Sequence, residues 1–424
     1  MNKDDSERIA GVLTAAGFAQ VDIEDEADVI IFNTCSIRQN ADDKLYGQAA
    51  ALKQLKTERP ELTIAIGGCL AQLDCEGLRK RLPHVDVVFG THNIRSLPGL
   101  LQRARTHKGS VCEILDETAD FNSDLPASRK HPWHAWLPIT VGCDNYCTYC
   151  VVPYVRGREK SRSLDRLVTE VVDLVGQGVK EITLLGQNVN SYGRDLYGEP
   201  KFASLLKRVA EIEGMERIRF TTSHPKDLNN EVIDIVAGTQ NICSHFHLPL
   251  QSGSDRILKR MNRRYSSKEY LKIIETIRAR VDGVSITTDI MVGFPGETAE
   301  DFKATLDVVA EAGFDQAFTF IYSPRPGTAA SGYEDQIPPE TAAERFGRLL
   351  EVQNQNAISS NLRLLGDQVT VFIEGHSKKS AHRLAARTSS NKLVHVDGAD
   401  ALIGKTLDVK IREAFSWFLI GEAV

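Results

Sequence analysis

LPITVGCDNYCTYCVVPYVRGR, residues 137–158, decides the fold: a β-type run ends in a glycine and then in Cys143, Cys147 and Cys150. A strand whose C-terminal end carries the chemistry is the layout of βα barrels and open α/β sheets. Downstream, further strand candidates recur at EITLLG (181–186), RIRFTT (217–222), SHFHLPL (244–250), SITTDIMVG (285–293) and QAFTFIYS (316–323), each followed by a helical stretch. About six βα units predict a partial (βα)6 barrel. Its reactive edge then consists of the cysteine segment and the loops GQNVNSYG, TSHP, QSGS, GFPGET and SPRPGT.

Upstream, residues 26–105 alternate short β-branched runs, VIIF, TIAI and VDVVF, with helical ones around Asn40–Leu55 and Cys75–Leu82. That predicts a small doubly wound α/β unit. Cys35 in NTCS and Cys69 in GGCL each follow a strand, at the edge where such sheets collect ligands. The chain opens on a helical stretch, Asp4–Ala16, with no strand before it, and the expectation is that a strand is missing upstream. Residues 106–134 lose periodicity and read as a linker. After a long helix, Pro339 to about Asn361, the runs QVTVFIEG, KLVHVDG, TLDVKI and SWFLIGEAV predict a small all-β barrel. The fold class is α/β with three domains, 1–125, 126–360 and 361–424.

A chain of 424 residues, 42% hydrophobic and 25% charged with a formal charge of -6, has the composition of a globular protein. No apolar run reaches the length of a membrane span, and the polar start MNKDDSERIA has no secretory pattern. The expectation is a cytoplasmic monomer. The eight cysteines are too few for a disulfide scaffold and point to metal or redox work. Three thiolates spaced as CxxxCxxC wrap the corner of a cubane cluster and leave one iron open. S-adenosylmethionine fits that iron through its amino and carboxylate groups, and electron transfer then releases a deoxyadenosyl radical. A zinc site is the rival, weakened because no Cys or His lies between Cys150 and His224.

Cys75, Cys112 and Cys243 read as isolated small hydrophobes. Cys35 and Cys69 alone make a poor cubane site, so spacing leaves a second cluster open. Tyr149 is a candidate to pack on the cofactor adenine. Gln187, Asn188, Ser223, His224, Gln251 and Ser252 are polar groups at strand ends and candidates for the rest of the cofactor, with loop solvation as the alternative. Arg156 and Arg158 suit a cofactor carboxylate or an RNA phosphate. GFPGET reads equally as a close approach to a ligand or a tight turn before a helix. Arg387, Thr388, Ser390 and Asn391 lie on a loop suited to phosphate and base contacts, with a solvated hairpin as the rival.

Taken together, NTCSIR, GGCLAQ, GCDNYCTYC, YVRGRE, LLGQNVNSY, SHPKD, HLPLQSGSDRILKRMNR, DIMVGFPGET and YSPRPGT resemble the methylthiotransferase family essentially end to end, in its branch acting on isopentenylated adenosine in tRNA. The resemblance implies a [4Fe-4S] cluster on Cys143, Cys147 and Cys150 that binds S-adenosylmethionine, and a second, auxiliary cluster with Cys35 and Cys69 among its ligands. It implies a C-terminal TRAM domain that grips tRNA, an external electron donor, and transfer of sulfur and methyl to C2 of the adenosine beside the anticodon. Related branches act on threonylcarbamoyl adenosine or a ribosomal protein. The family's third auxiliary cysteine, in a Gly-Cys-Gln segment before Met1 and Asn2, is absent, so the resemblance implies a start set too late or a damaged second cluster. In the latter case an iron-sulfur tRNA-binding protein with impaired catalysis is the alternative.

Overall fold

β2 (Thr63–Gly68) is buried along its whole length, and its alternate side chains serve two faces. Ile64 and Ile66 pack with Leu45, Ala49 and Leu52 on one side, whereas Ala65 packs with Ile9, Val12 and Leu97 on the other. This period of two needs helices above and below the sheet. A computed structural model supplies the structure, which describes residues 1–34, 39–106, 109–115, 121–378 and 380–424. It falls into two units, which are taken separately.

The first unit comprises residues 1–146, 150–160 and 185–187. Here α1 (Asn2–Ala15), β1 (Val29–Thr34), α2 (Gln39–Glu58), β2, α3 (Cys69–Leu73), α4 (Cys75–Arg81), β3 (Val87–Phe89), α5 (Leu97–Thr106) and β4 (Val111–Glu113) build a parallel sheet in the order β1-β2-β3-β4. β5 (His134–Pro138), β6 (Thr140–Val141) and the short α6 (Val152–Val155) follow.

Two expectations are corrected in this unit. Residues 106–134 do not form a plain linker: β4 lies there, Leu125 joins the core, and Leu125 O accepts from the buried Arg8. Cys75 and Cys112 are not isolated, because the topology sets the first residue of α4 against β4 and joins them in a disulfide, with Cα atoms 6.7 Å apart.

In the second unit, residues 147–149, 161–184 and 188–424, the elements alternate. After β7 (Lys160–Ser161, shared at the unit boundary) come α7 (Leu164–Gly176), β8 (Glu181–Leu185), α8 (Arg194–Tyr197), α9 (Phe202–Ala210), β9 (Arg217–Thr221), α10 (Asn230–Gly238) and β10 (His245–His247). The series continues through α11 (Asp255–Arg260), α12 (Ser267–Arg280), β11 (Ser285–Val292), α13 (Ala299–Ala312), β12 (Gln316–Ile321) and α14 (Pro339–Leu362). β10, β11 and β12 pair in parallel, and β8 pairs with β9. These strands stand where the sequence places barrel strands. Capping boxes at Ser266 and Thr298 fix the starts of α12 and α13, as their Ser-x-x-Glu and Thr-x-x-Asp spacing requires.

The last five strands, β13 (Gln368–Ser377), β14 (Ser380–Thr388), β15 (Leu393–Asp397), β16 (Thr406–Ala414) and β17 (Leu419–Ala423), close in the order β13-β14-β15-β17-β16. Val371, Ile373, Leu384, Ala386, Val394 and Val396 fill the interior at two-residue spacing.

Ion pairs fasten this small barrel to the larger one. Glu181 Oε2 accepts from Arg217 Nε at 2.9 Å and Arg219 Nε at 3.0 Å, while Thr388 O accepts from both guanidinia. Lys392 Nζ reaches Asp315 Oδ1 at 2.8 Å, Ser360 Oγ at 2.8 Å and Asn361 Oδ1 at 2.9 Å. Burial pushes the Asp315 carboxyl up, but Lys392 and the hydrogen bonds around it hold it below its usual range. A depressed folded pKa gives stability that is present above the unfolded value, about 3.9, and is lost as pH falls through the folded one. Acid unfolding of the full chain should therefore begin at higher pH in Asp315→Asn, whose unfolding midpoint in urea should change less than the wild type's between pH 5 and pH 3.

Candidate functional site

Gly68 sets the geometry at the edge of the first sheet. It sits at φ 98° and ψ -161°, a region open essentially to glycine, and a Cβ there would lie 2.4 Å from Thr34 O. Thr34 and Gly68 are register partners, and the Thr34 hydroxyl donates to Gly67 O at 2.7 Å. Glycine thus lets the ends of β1 and β2 meet, with Cys69 opening α3. Gly68→Ala should cost about 1–3 kcal/mol in urea unfolding, from backbone strain alone. Cys35 follows Thr34 in the chain but lies outside the described residues.

Cys69 is buried against Leu73, Val151 and Val155, so the segment following the cysteine triad covers it. Arg156 comes from the same segment. It is 7% exposed, ion-paired to Asp5 Oδ2 at 2.5 Å, and interacts with the Cys69 thiol. Burial works against its charge, yet Asp5 and Cys69 more than offset that and push its pKa up. A cavity beside these groups is lined by Asp4, Asp5, Thr91, His92, Asn122 and Arg158, among others.

The triad cysteines have nitrogen neighbours. Asn145 Nδ2 donates to Cys143 Sγ at 3.3 Å in the first unit. In the second unit Arg263 Nη1 donates to Cys147 Sγ at 3.5 Å. Among the described residues no three His, Cys, Asp or Glu side chains stand together in a metal-binding group. Cys150 is half-buried.

The strand-end candidates divide. Ser223 Oγ and both side-chain polar atoms of Asn190, after β9 and β8, are buried without a hydrogen-bond partner among the described residues, as is Gln187 Oε1 in the first unit. Buried polar groups need partners, so these atoms fit a polar cofactor. The Asn188 amide donates to Asp227 Oδ2 at 2.7 Å and its carbonyl accepts from His224 N at 3.2 Å, so it ties the loop after β8 to the loop after β9. Burial keeps His224 neutral. Gln251 is 7% exposed at φ 70°, held by backbone bonds to Asp289 and Met291. Tyr149 packs with Ile257, Met261, Phe294 and Tyr322.

QSGS and GFPGET are held by local polar contacts. Ser254 caps α11, Ser252 Oγ lies 3.2 Å from Thr305 Oγ1, and Glu297 is ion-paired to Arg345 at 2.7 Å. Thr388 makes bonds within its own barrel. It is 5% exposed, with its hydroxyl 3.0 Å from Ser390 Oγ and accepting from Lys392 N at 3.0 Å. Asn391 faces Arg219, and Arg387 pairs with Glu374 at 2.9 Å. The sequence reading missed Asn190 and Arg263. Asn190 lies in a quoted loop, whereas Arg263 is hidden in the basic run Lys259–Arg264 and had no local signal.

A cysteine triad after a barrel strand, orphaned polar atoms at the following strand ends, and a closed five-stranded barrel at the C-terminus define a radical S-adenosylmethionine enzyme with an RNA-binding module. Family models agree: the radical SAM superfamily matches residues 137–309, the TRAM domain residues 362–424, and the uncharacterized protein family UPF0004 residues 1–90. The chain belongs to the tRNA-2-methylthio-N6-dimethylallyladenosine synthase family of methylthiotransferases.

It is 46% identical to the synthase of Thermoanaerobacter pseudethanolicus, over 100% of this chain and 90% of that protein. It is 49% identical to that of Syntrophomonas wolfei, over 100% of this chain and 95% of the relative. The fold resembles the radical S-adenosylmethionine methyltransferase TsrM of Kitasatospora setae, with TM-score 0.51, 13% identity, 76% of this chain and 66% of that one. It also resembles the cobalamin-dependent radical enzyme OxsB, with TM-score 0.52, 14% identity, 82% of this chain and 54% of that one. Among the described residues no helix is long and apolar enough to cross a membrane.

Proposed function

We propose that the chain converts N6-isopentenyladenosine beside the anticodon of tRNA to its 2-methylthio derivative. The observation that carries this reading is identity of 46–49% to synthases of that product, extending through the cysteine triad, the loops and the small barrel. Cys143, Cys147 and Cys150 would hold a [4Fe-4S] cluster, which with S-adenosylmethionine supplies one-electron cleavage of the sulfonium bond. In the second unit, Asn190, Ser223 and Gln251 would hydrogen-bond the cofactor; in the first unit, the orphaned Gln187 Oε1 is a further candidate. Cys69 and Cys35 would be ligands of an auxiliary cluster, with Arg156 and Asp5 keeping the Cys69 surroundings polar but buried. The three-domain division at 1–125, 126–360 and 361–424 follows this allocation of work. The setting is the cytoplasm, and a one-electron donor must reach the cluster.

Incubation of the reconstituted protein with hypomodified tRNA and, separately, with ribosomes tests the reading. Methylthiolated adenosine is expected in the tRNA, and product only on a ribosomal protein would overturn it. Binding of the tRNA rests on phosphate contacts, which release counterions. If three to four phosphates are neutralised, Kd should rise about tenfold to a hundredfold between 50 and 200 mM salt by the single-strand counterion slope.

A further inference from the structure

Arg263 is held on three sides in the second unit. Nε donates to Tyr265 Oη at 3.0 Å, Nη2 to Pro249 O at 3.0 Å, and Nη1 to Cys147 Sγ at 3.5 Å. Backbone geometry aims it there: α11 ends at Arg260, Asn262 just beyond it lies in the left-handed region at φ 57°, and Arg263 N returns to Leu258 O at 2.8 Å. The same helix end grips the cysteine segment, since Thr148 N donates to Met261 O at 3.1 Å and the Thr148 hydroxyl to Arg260 O at 2.9 Å. Arg263 and Cys147 are thus set against each other by bonds on both sides of the contact.

Arg263 is 8% exposed, and among the described residues no carboxylate stands within ion-pair distance of its guanidinium. Pro249 O and Tyr265 Oη are neutral. A buried cation with only neutral partners is strongly unfavourable, so the arrangement calls for an anion at Cys147. A cluster bound through the three triad thiolates would supply that charge.

We propose that Arg263 is a positioning residue for the triad cluster: it offsets the negative charge at Cys147 and, by donating an N–H to the sulfur, raises the cluster's reduction potential. This rests on the assignment of a cluster to the triad. The redox change is one electron, passing from an external reductant into the oxidised cluster. Charge and hydrogen bonds at cluster sulfurs set that equilibrium.

The test uses the full chain, reconstituted anaerobically in a Cys69→Ala background so that one cluster is observed, and titrated with dithionite while the reduced cluster is counted by electron paramagnetic resonance. At the potential that half-reduces the parent, Arg263→Gln should show a reduced-to-oxidised ratio at least about tenfold lower, a displacement of about 59 mV for one electron. An unchanged ratio with iron retained overturns the proposal. Where Arg263→Gln does not retain iron, Arg263→Met decides through thermal unfolding with and without the cluster. Tyr265 Oη still reaches Pro249 O, at 3.1 Å, after the arginine is gone. Met should therefore lower the Tm of the loaded protein and leave that of the metal-free protein unchanged or higher; equal lowering of both assigns Arg263 to packing and overturns the proposal. Failure of the parent itself to take up about four irons per chain would instead sink the cluster assignment.

Discussion

Cys147→Ala should abolish deoxyadenosine formation and methylthiolation together, by at least about a thousandfold, because the cofactor chemistry has no protein substitute. Iron per chain should fall by about four in the same variant. The two effects belong together: Cys147 supplies one of only three thiolates in the motif, so its loss removes a corner of the cluster rather than a single contact. Cys243→Ser is the control. Cys243 is 3% exposed and lies outside the motif, with burial pushing its thiol up, so its replacement should leave the iron count intact. Cys69→Ala separates the two sites in the opposite direction. It should leave the cleavage of S-adenosylmethionine running while the methylthio product disappears. Anaerobic iron analysis and chromatography of deoxyadenosine check all three, and normal product from Cys147→Ala would remove the triad from the mechanism.

The barrel strands were legible because each is a β-branched or aromatic run that stops at a polar loop, a pattern short enough to read locally. The small barrel was legible for the same reason: Val394 and Val396 are buried and alternate with the half-buried Leu393 and His395 and the exposed Asp397. Local patterns fail where a residue's partner is distant. Asn188 and Ser223 look alike as polar residues at strand ends, yet Asp227 satisfies the first while the second stays orphaned. Arg156 was legible as a functional cation, but its partner Asp5 is 151 positions away. Arg263 reads as one charge in a basic surface run, and only the fold shows it buried against a cysteine 116 positions upstream. β4 escaped notice because three residues carry too little periodicity to stand out.

Glu181→Ala should destabilise the second unit by about 3–5 kcal/mol, the cost of removing one member of a buried ion cluster. Its side chain is 4% exposed and accepts from Arg217 and Arg219, themselves only 11% and 10% exposed. Alanine leaves two cations buried side by side, and the acceptors that remain, the carbonyls of Arg387 and Thr388 and Asn391 Oδ1, are neutral. Glu181→Gln keeps the shape and one acceptor, so it should cost less. Both guanidinia bond the β14–β15 turn, so repulsion between them should also loosen the small barrel from the larger one. Affinity for tRNA should then weaken several-fold in Glu181→Gln, which still folds, whereas uncoupled cleavage of S-adenosylmethionine continues. Urea unfolding and tRNA binding on the same preparation check this. A loss below about 1 kcal/mol in Glu181→Ala would mean that water reaches the two arginines and that the junction is held by packing instead.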